Sequence, residues 1–229
     1  MDIAREKSII LHSDEVYRPL FHSMSPMDKE FPSSLLSLGY ENTITTGSMS
    51  KSYSLAGVRV GWIASRNPSI VEACAAVRDY TTISVGQIDD AVASYALAPT
   101  CIHSLLKRNI DLAKKNLENL EKFIDSHRWA CDWVKPRAGT VAFVRFTKMG
   151  KPVDDSVFCE MLLERTGVMF VPGSLSFGRD EDFKGYVRIG FVQESGVLEK
   201  GLEALDSFLE DDYEDVPVIK KKQPATQSS

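Results

Sequence analysis

Several residues that could do chemistry sit at spacings that set them apart. Lys51 follows Ser48-Met49-Ser50 and precedes Gly57, Arg59 and Gly61-Trp62 at short offsets. A lysine amine can attack a carbonyl or carry a proton, provided its surroundings disfavour the ammonium form. Asp14 closes a short apolar run and is followed by Glu15 and Tyr17. Arg188 lies in Tyr186-Val187-Arg188-Ile189-Gly190-Phe191, and its planar guanidinium is suited to gripping a carboxylate. Taken singly, each has an ordinary structural reading. An Asp at a strand end caps a turn, a Tyr packs, an Arg makes a surface ion pair, and Gly57 and Gly61 shape the backbone. Their joint occurrence is what carries weight.

Other chemistries find less support. His12, His22, His103 and His127 form no HxxxH or HxH pair, and Cys74, Cys101, Cys131 and Cys159 form no CxxC cluster, so zinc signatures are absent. The cysteines read as buried free thiols in a reducing compartment. Gly-x-Ser-x-Gly does not occur, which counts against an α/β-hydrolase nucleophile. Asp89-Asp90 are explained by the dipole of the helix they open.

These residues need elements to position them. Residues 8–12 read as a buried strand, with His12 in the core, running into Ser13-Asp14. Residues 18–38 contain Pro19, Pro26 and Pro32 and read as loop with a helical turn near 33–38. The β-branched run 43–47 is a strand that delivers Ser48 to Lys51, and 58–64 is a third strand. Pro68 at a first helical position opens a helix to about Tyr80, a second covers 86–98, and a third covers 101–127. In the third, Leu106, Ile110, Ala113, Leu117, Leu120 and Ile124 recur at alternating four- and three-residue steps, an apolar stripe along a helix of about 40 Å. Strands at 140–146, 168–171 and 185–192 then mix with helices at 156–166 and 197–210, an α+β texture. From Asp211 an acidic stretch, Lys220-Lys221-Lys222 and a polar end read as disordered.

Composition bounds the function. The 229 residues are 43% hydrophobic with a formal net charge of −5 and scattered basic residues, which argues against nucleic-acid binding. The charged N-terminus does not read as a signal peptide, and no run approaches the roughly 20 apolar residues of a membrane helix, so a cytoplasmic protein is expected.

The stretch Ser48–Trp62 resembles the cofactor-lysine motif of the class I/II aminotransferases, which use pyridoxal phosphate (PLP). Ser13-Asp14-Glu15-Val16-Tyr17 is similar to the same family's Asp-Glu-x-Tyr motif, and the Arg188 segment to its substrate-carboxylate segment. Lys135-Pro136-Arg137-Ala138-Gly139 and Val171-Pro172-Gly173-Ser174 are lesser similarities, all in family order. The resemblance implies an α/β fold: residues 1–100 as part of a PLP-binding large domain with a mostly parallel sheet, 101–127 as a long interdomain helix, 128–210 as a small C-terminal α+β domain, and 211–229 as the tail. It implies PLP held by Lys51 as a Schiff base, with Lys51 also the general base. Asp14 would pair with the pyridine nitrogen, Tyr17 with the phenolic oxygen, and Ser48, Ser50 and Arg59 with the phosphate. Arg188 would bind the substrate α-carboxylate.

The implied reaction moves an amino group between an α-amino acid and a 2-oxo acid in a homodimer. Two alternatives share the site: other PLP chemistry, such as cyclisation by an aminocyclopropane-carboxylate-synthase-like enzyme or carbon–sulfur lysis, and an inactive fragment or pseudoenzyme. The resemblance covers the second half of the family's usual length. The family's upstream Gly/Ser-rich phosphate turn, ring-stacking aromatic and asparagine are expected to be missing, with exposed apolar faces as a consequence.

Overall fold

The computed structural model describes residues 1–179 and 182–219. The Lys220–Lys222 run and the polar end expected to be disordered lie outside the described residues. The chain divides into two compact units, the first comprising Met1–Asp111 and Arg137–Thr140, the second Leu112–Pro136 and the chain from Val141 onward.

Unit 1 holds a short helix α1 (Asp2–Glu6), strands β1 (Leu11–Asp14), β2 (Thr43–Ser48) and β3 (Gly61–Ser65), helices α2 (Pro68–Arg78) and α3 (Gln87–Leu97), and the start of α4 (Ile102–Ser126). The strands form one sheet in the order β1-β2-β3. β1 and β2 are parallel with Asp14 opposite Thr46, and β3 is antiparallel with Gly61 opposite Ser48. Pro68 starts α2 where a missing N–H costs nothing, and the Asn67 side chain caps it through Ser69 N. Small Ala93 and Ala96 on α3 let that helix pack close on buried Met49 and Tyr53, with Ile102, Leu105 and Leu106 of α4 alongside. The other faces stay open: Tyr80, Ile88 and Tyr95 are 91%, 81% and 70% exposed.

Two strand starts in unit 1 differ from the sequence expectation, and in unit 2 the strand expected at 168–171 is confined to Val171–Pro172. β1 starts at Leu11 rather than residue 8, because Ser8 turns the chain with φ 54° and the Tyr40 hydroxyl donates to the carbonyls of Ala4 and Ile9. His12, expected in the core, is exposed on the sheet, 3.3 Å from Thr46 Oγ1. β3 starts at Gly61 rather than residue 58, because Ala56–Val58 form a 3-10 turn and Arg59 is left-handed at φ 50°.

Unit 2 holds strands β4 (Cys131–Trp133), β5 (Val141–Lys148), β6 (Lys151–Pro152), β7 (Val171–Pro172) and β8 (Tyr186–Gly190), and helices α5 (Asp155–Thr166), α6 (Gly173–Ser176) and α7 (Ser195–Asp211). The sheet order is β4-β5-β8-β7, with β6 paired to β5. Alternation along the strands turns Ala142, Val144, Phe146, Val187 and Ile189 to one side. There they share a core with Ala113, Leu117, Leu120 and Ile124 of the predicted α4 stripe, Phe158 and Leu162 of α5, and Leu198, Leu205 and Phe208 of α7. Gly167 ends α5 at φ 74°, a left-handed cap that glycine adopts without cost.

Residues 211–219, expected to be tail, belong to this core. α7 runs through Asp211, Tyr213–Asp215 form a 3-10 turn, Tyr213 and Val216 are buried, and Val218 bridges to Val153.

All four cysteines are free, Cys131 and Cys159 buried and the other two partly exposed. Burial pushes both buried thiols up to about 12, helped at Cys159 by the Asp155 carboxylate. A thiol-specific disulfide reagent at pH 8 is therefore expected to label Cys74 and Cys101 and to leave Cys131 and Cys159 silent until denaturant is added, as peptide mapping would show. The raised values also favour the folded state while the thiols stay protonated. That stability is fully present below the unfolded-thiol pKa of roughly 8.5 and is lost as pH rises through about 12.

Candidate active site

Ligands of open α/β sheets gather beyond the carboxyl ends of parallel strands. In unit 1 this end collects most of the residues singled out above. Asp14 ends β1 and Ser48 ends the neighbouring parallel β2, so Ser50 and Lys51 emerge beside Asp14. β3 begins at the same end, opposite Ser48, and is entered through Arg59 and Val60.

Asp14 Oδ1 accepts hydrogen bonds from Val16 N at 3.3 Å and Thr46 Oγ1 at 3.0 Å. Both fall on one oxygen, and among the described residues Oδ2 accepts no hydrogen bond. Glu15, by contrast, is spent on the fold, accepting from Ser34 Oγ and Leu35 N through Oε1.

The Lys51 turn is pinned from several sides. Met49 is fully buried, its N–H donates to Val60 O at 3.0 Å, and its carbonyl accepts from Leu55 N at 3.0 Å. Ser52 is buried, with its carbonyl accepting from Asn109 Nδ2 at 2.8 Å and its hydroxyl donating to Val16 O at 3.3 Å. Tyr53 is buried against Trp62 in an edge-on contact, and burial raises its hydroxyl pKa. With its neighbours held, Lys51 itself points outward and is exposed.

Ser48 Oγ donates to Ser50 Oγ at 2.9 Å and accepts from Ser50 N at 3.0 Å, so the two hydroxyls form one small cluster. Arg59 reaches back to donate to Ala56 O at 2.8 Å, which orients an otherwise exposed guanidinium. Glycine is required where β2 and β3 meet: a Cβ on Gly61 would sit 2.9 Å from Gly47 O, and one on Gly47 would enter the Trp62 indole at 2.4 Å. Tyr17 lies in the turn after β1, exposed, with Gly139 facing its ring: a Cβ there would be 3.7 Å away. Gly139 is left-handed at φ 84° and tied to Leu20 O, which draws the Arg137–Gly139 segment into unit 1.

Arg188 belongs to unit 2. It lies on β8 between Phe143 of β5 and Val171 of β7, on the face opposite the helices, with its guanidinium 5.8 Å from the Phe177 ring centre. The supporting residues Thr46 and Asn109 escaped the sequence reading. Asn109 had a signal, since with Asn116 it places two amides seven residues apart inside an apolar stripe, and both are buried.

The profile of the family described as aminotransferase class I and II matches residues 1–205, and the chain belongs to that family. Capreomycidine synthase of Streptomyces vinaceus is 31% identical over 91% of this chain and 49% of its own length. Aspartate aminotransferase of Thermotoga maritima is 29% identical over 90% of this chain and 49% of its own. A PLP-dependent aminotransferase from Streptococcus suis 89-1591 superposes with a TM-score of 0.78 at 36% identity, covering 91% of this chain and 50% of that one. The chain thus spans about half the length of the curated relatives it matches. Among the described residues no helix is long and apolar enough to cross a membrane, and no cluster of His, Cys, Asp or Glu could hold a metal ion.

Proposed function

We propose that the β1–β2 end of unit 1 holds PLP and that the protein moves an amino group between an α-amino acid and a 2-oxo acid. The observation that supports this most is the convergence of Asp14, Ser48, Ser50, Lys51 and Arg59 at one end of one sheet, in a chain of this family. The donor set fits the cofactor. A phosphate is met by two hydroxyls and a guanidinium, an aldehyde by a lysine amine, and a protonated ring nitrogen by the open oxygen of Asp14. When bound, PLP supplies an electron sink for a bond broken at the substrate Cα.

The chain's own residues do the rest. Lys51 Nζ would hold the cofactor by its aldehyde and would take up the proton lost from the substrate Cα. Asp14 would keep a proton on the ring nitrogen through a charge-assisted hydrogen bond. Tyr17 would donate its hydroxyl hydrogen to the phenolic oxygen, and Ser48, Ser50 and Arg59 would hold the phosphate. Arg188 presents two parallel N–H groups to the substrate carboxylate, a geometry lysine cannot copy. The same reading makes the protein a cytoplasmic homodimer, which sedimentation of the purified chain and fractionation of its cells would check.

Equilibrium dialysis tests the cofactor site. Asp14→Ala and Arg59→Ala each remove one charge-assisted contact of roughly 1.5–3 kcal/mol, so each is expected to weaken PLP retention about ten- to a hundredfold. Variants that retain PLP as well as the parent chain would sink the assignment. The 31% identity to capreomycidine synthase, a synthase rather than an aminotransferase, favours a second reading, other PLP chemistry such as cyclisation of an amino acid on the same residues. Exchange of labelled nitrogen between an amino acid and an added 2-oxo acid supports transamination. Cyclic product formed without any oxo acid supports the second reading.

A further inference from the structure

Asp155 is fully buried and has no part in the chemistry above. Its carboxylate accepts three hydrogen bonds. Oδ2 takes Ser174 N at 2.8 Å and Ser174 Oγ at 2.7 Å, and Oδ1 takes Gly185 N at 2.9 Å. A buried carboxylate persists only where its oxygens are satisfied, and here both are used on two places: the start of α6 and the residue leading into β8. Helix capping does not account for it, because Asp154 already caps α5 through Ser156 N and Val157 N. At both places neighbouring atoms leave no room for a side chain. A Cβ on Gly173 would lie 2.7 Å from Tyr186 O, and one on Gly185 would lie 2.7 Å from Pro152 Cβ.

What these two points hold is the wall beside Arg188. Phe177 leaves the end of α6, its N–H donating to Gly173 O at 3.0 Å. Its ring stands 5.3 Å from that of Phe143 and 5.8 Å from the Arg188 guanidinium carbon, centroid distances that suit an edge-on aromatic pair and a cation over a ring face. Gly185 leads into β8 three residues before Arg188 itself.

We propose that Asp155 is a positioning residue: by tying Ser174 and Gly185 together it holds the Phe177 ring against Arg188 and fixes the direction in which that guanidinium meets a carboxylate. The inference rests on the reading of Arg188 as the substrate-carboxylate residue. It requires a carboxylate specifically. Both oxygens accept from N–H groups, so Asp155→Asn keeps the volume but sets an amide N–H against a donor at one of the two places.

The test is NMR of the full chain, following the Arg188 Nε–H resonance, assigned by its loss in Arg188→Lys. Phe177→Leu measures how far the ring displaces it. Asp155→Asn is expected to reproduce at least about half of that displacement while the Val187 and Ile189 amides of β8 stay in place, because a cation held over a ring feels that ring's field. Ser174→Ala, which removes one of the three hydrogen bonds, should move it part of the way and decides the matter if Asp155→Asn does not fold. An unmoved resonance overturns the proposal. So does one that moves only together with the β8 amides, since Asp155 would then serve the sheet as a whole.

Titration with 3-phenylpropionate, a carboxylate without an amine, adds the functional arm. Arg188→Lys should weaken its binding about tenfold, and Asp155→Asn about threefold or more, because the planar fork is lost or misdirected. If Arg188→Lys changes nothing, or the parent chain does not bind the probe, the reading of Arg188 fails while the resonance still judges the positioning. If Arg188→Lys weakens binding and Asp155→Asn does not, the positioning role is overturned.

Discussion

Borohydride reduction of the purified chain with PLP is expected to leave one pyridoxyl group, on Lys51, and Lys51→Ala is expected to leave none there. Reduction fixes an amine–aldehyde linkage wherever one has formed, so peptide mass spectrometry reads occupancy site by site. Exposed lysines such as Lys7 and Lys29 compete for a free aldehyde. What separates Lys51 from them on the proposed reading is its surroundings: Ser48, Ser50 and Arg59 stand at the same edge of the sheet, where they would hold the phosphate end and raise the local aldehyde concentration at one amine. Two controls follow. Lys51→Arg keeps the positive charge but loses the nucleophilic amine, and should be as blank as Lys51→Ala. Excess inorganic phosphate should suppress labelling of Lys51 while leaving scattered background labelling unchanged. Labelling spread evenly over surface lysines, and indifferent to phosphate, would sink the assignment.

Much of the scaffold behind that site was legible in the sequence because local chemistry and final structure agree. The β-branched run 43–47 is the body of β2, Pro68 opens α2, Gly167 closes α5, and Ala113, Leu117, Leu120 and Ile124 of the predicted stripe are buried. Failures came where a distant partner decides. Nothing local in Cys131-Asp132-Trp133 asks for a strand; pairing with Val144–Phe146 of β5 makes it one. Nothing local at Arg59 announces φ 50°, yet that residue ends the turn and shifts the start of β3. The same division runs through the site. Asp14, Lys51 and Arg188 were singled out by residue type, spacing and family resemblance. Thr46, Asn109 and Asp155 hold their neighbours through partners far along the chain, in contacts that only the fold creates.

Residues 211–219 are the clearest case of tertiary contacts overriding composition, and they carry the largest expected loss of stability. Asp211, Asp212, Glu214 and Asp215 make the segment look like a solvated end, but Tyr213 is only 2% exposed. Its ring meets Trp129 and Phe158 edge-on at 5.7 and 6.2 Å. Its hydroxyl donates toward Thr147 O at 3.0 Å and Ala130 O at 3.3 Å, joining the C-terminal segment to β5 and to the approach to β4. The segment is also held by its backbone, with Asp154 N donating to Pro217 O at 2.8 Å and Ile219 N to Pro152 O at 3.0 Å. Tyr213→Ala should therefore cost unit 2 about 3–5 kcal/mol, the range for emptying a buried aromatic site. Tyr213→Phe keeps the ring but removes the hydroxyl donor from Thr147 O, while Ala130 O still accepts from Thr147 N, and should cost about 1–2 kcal/mol. Urea unfolding of both variants makes the comparison. Burial also raises the Tyr213 hydroxyl above its ordinary value, so its contribution is fully present below about pH 10 and is lost as pH climbs through the folded-state ionisation. Alkaline unfolding of the parent chain should accordingly be steeper than that of Tyr213→Phe, which has no hydroxyl to ionise. If Tyr213→Ala melted within about 0.5 kcal/mol of the parent, as surface changes do, the segment would be a dispensable end and the core would close at α7.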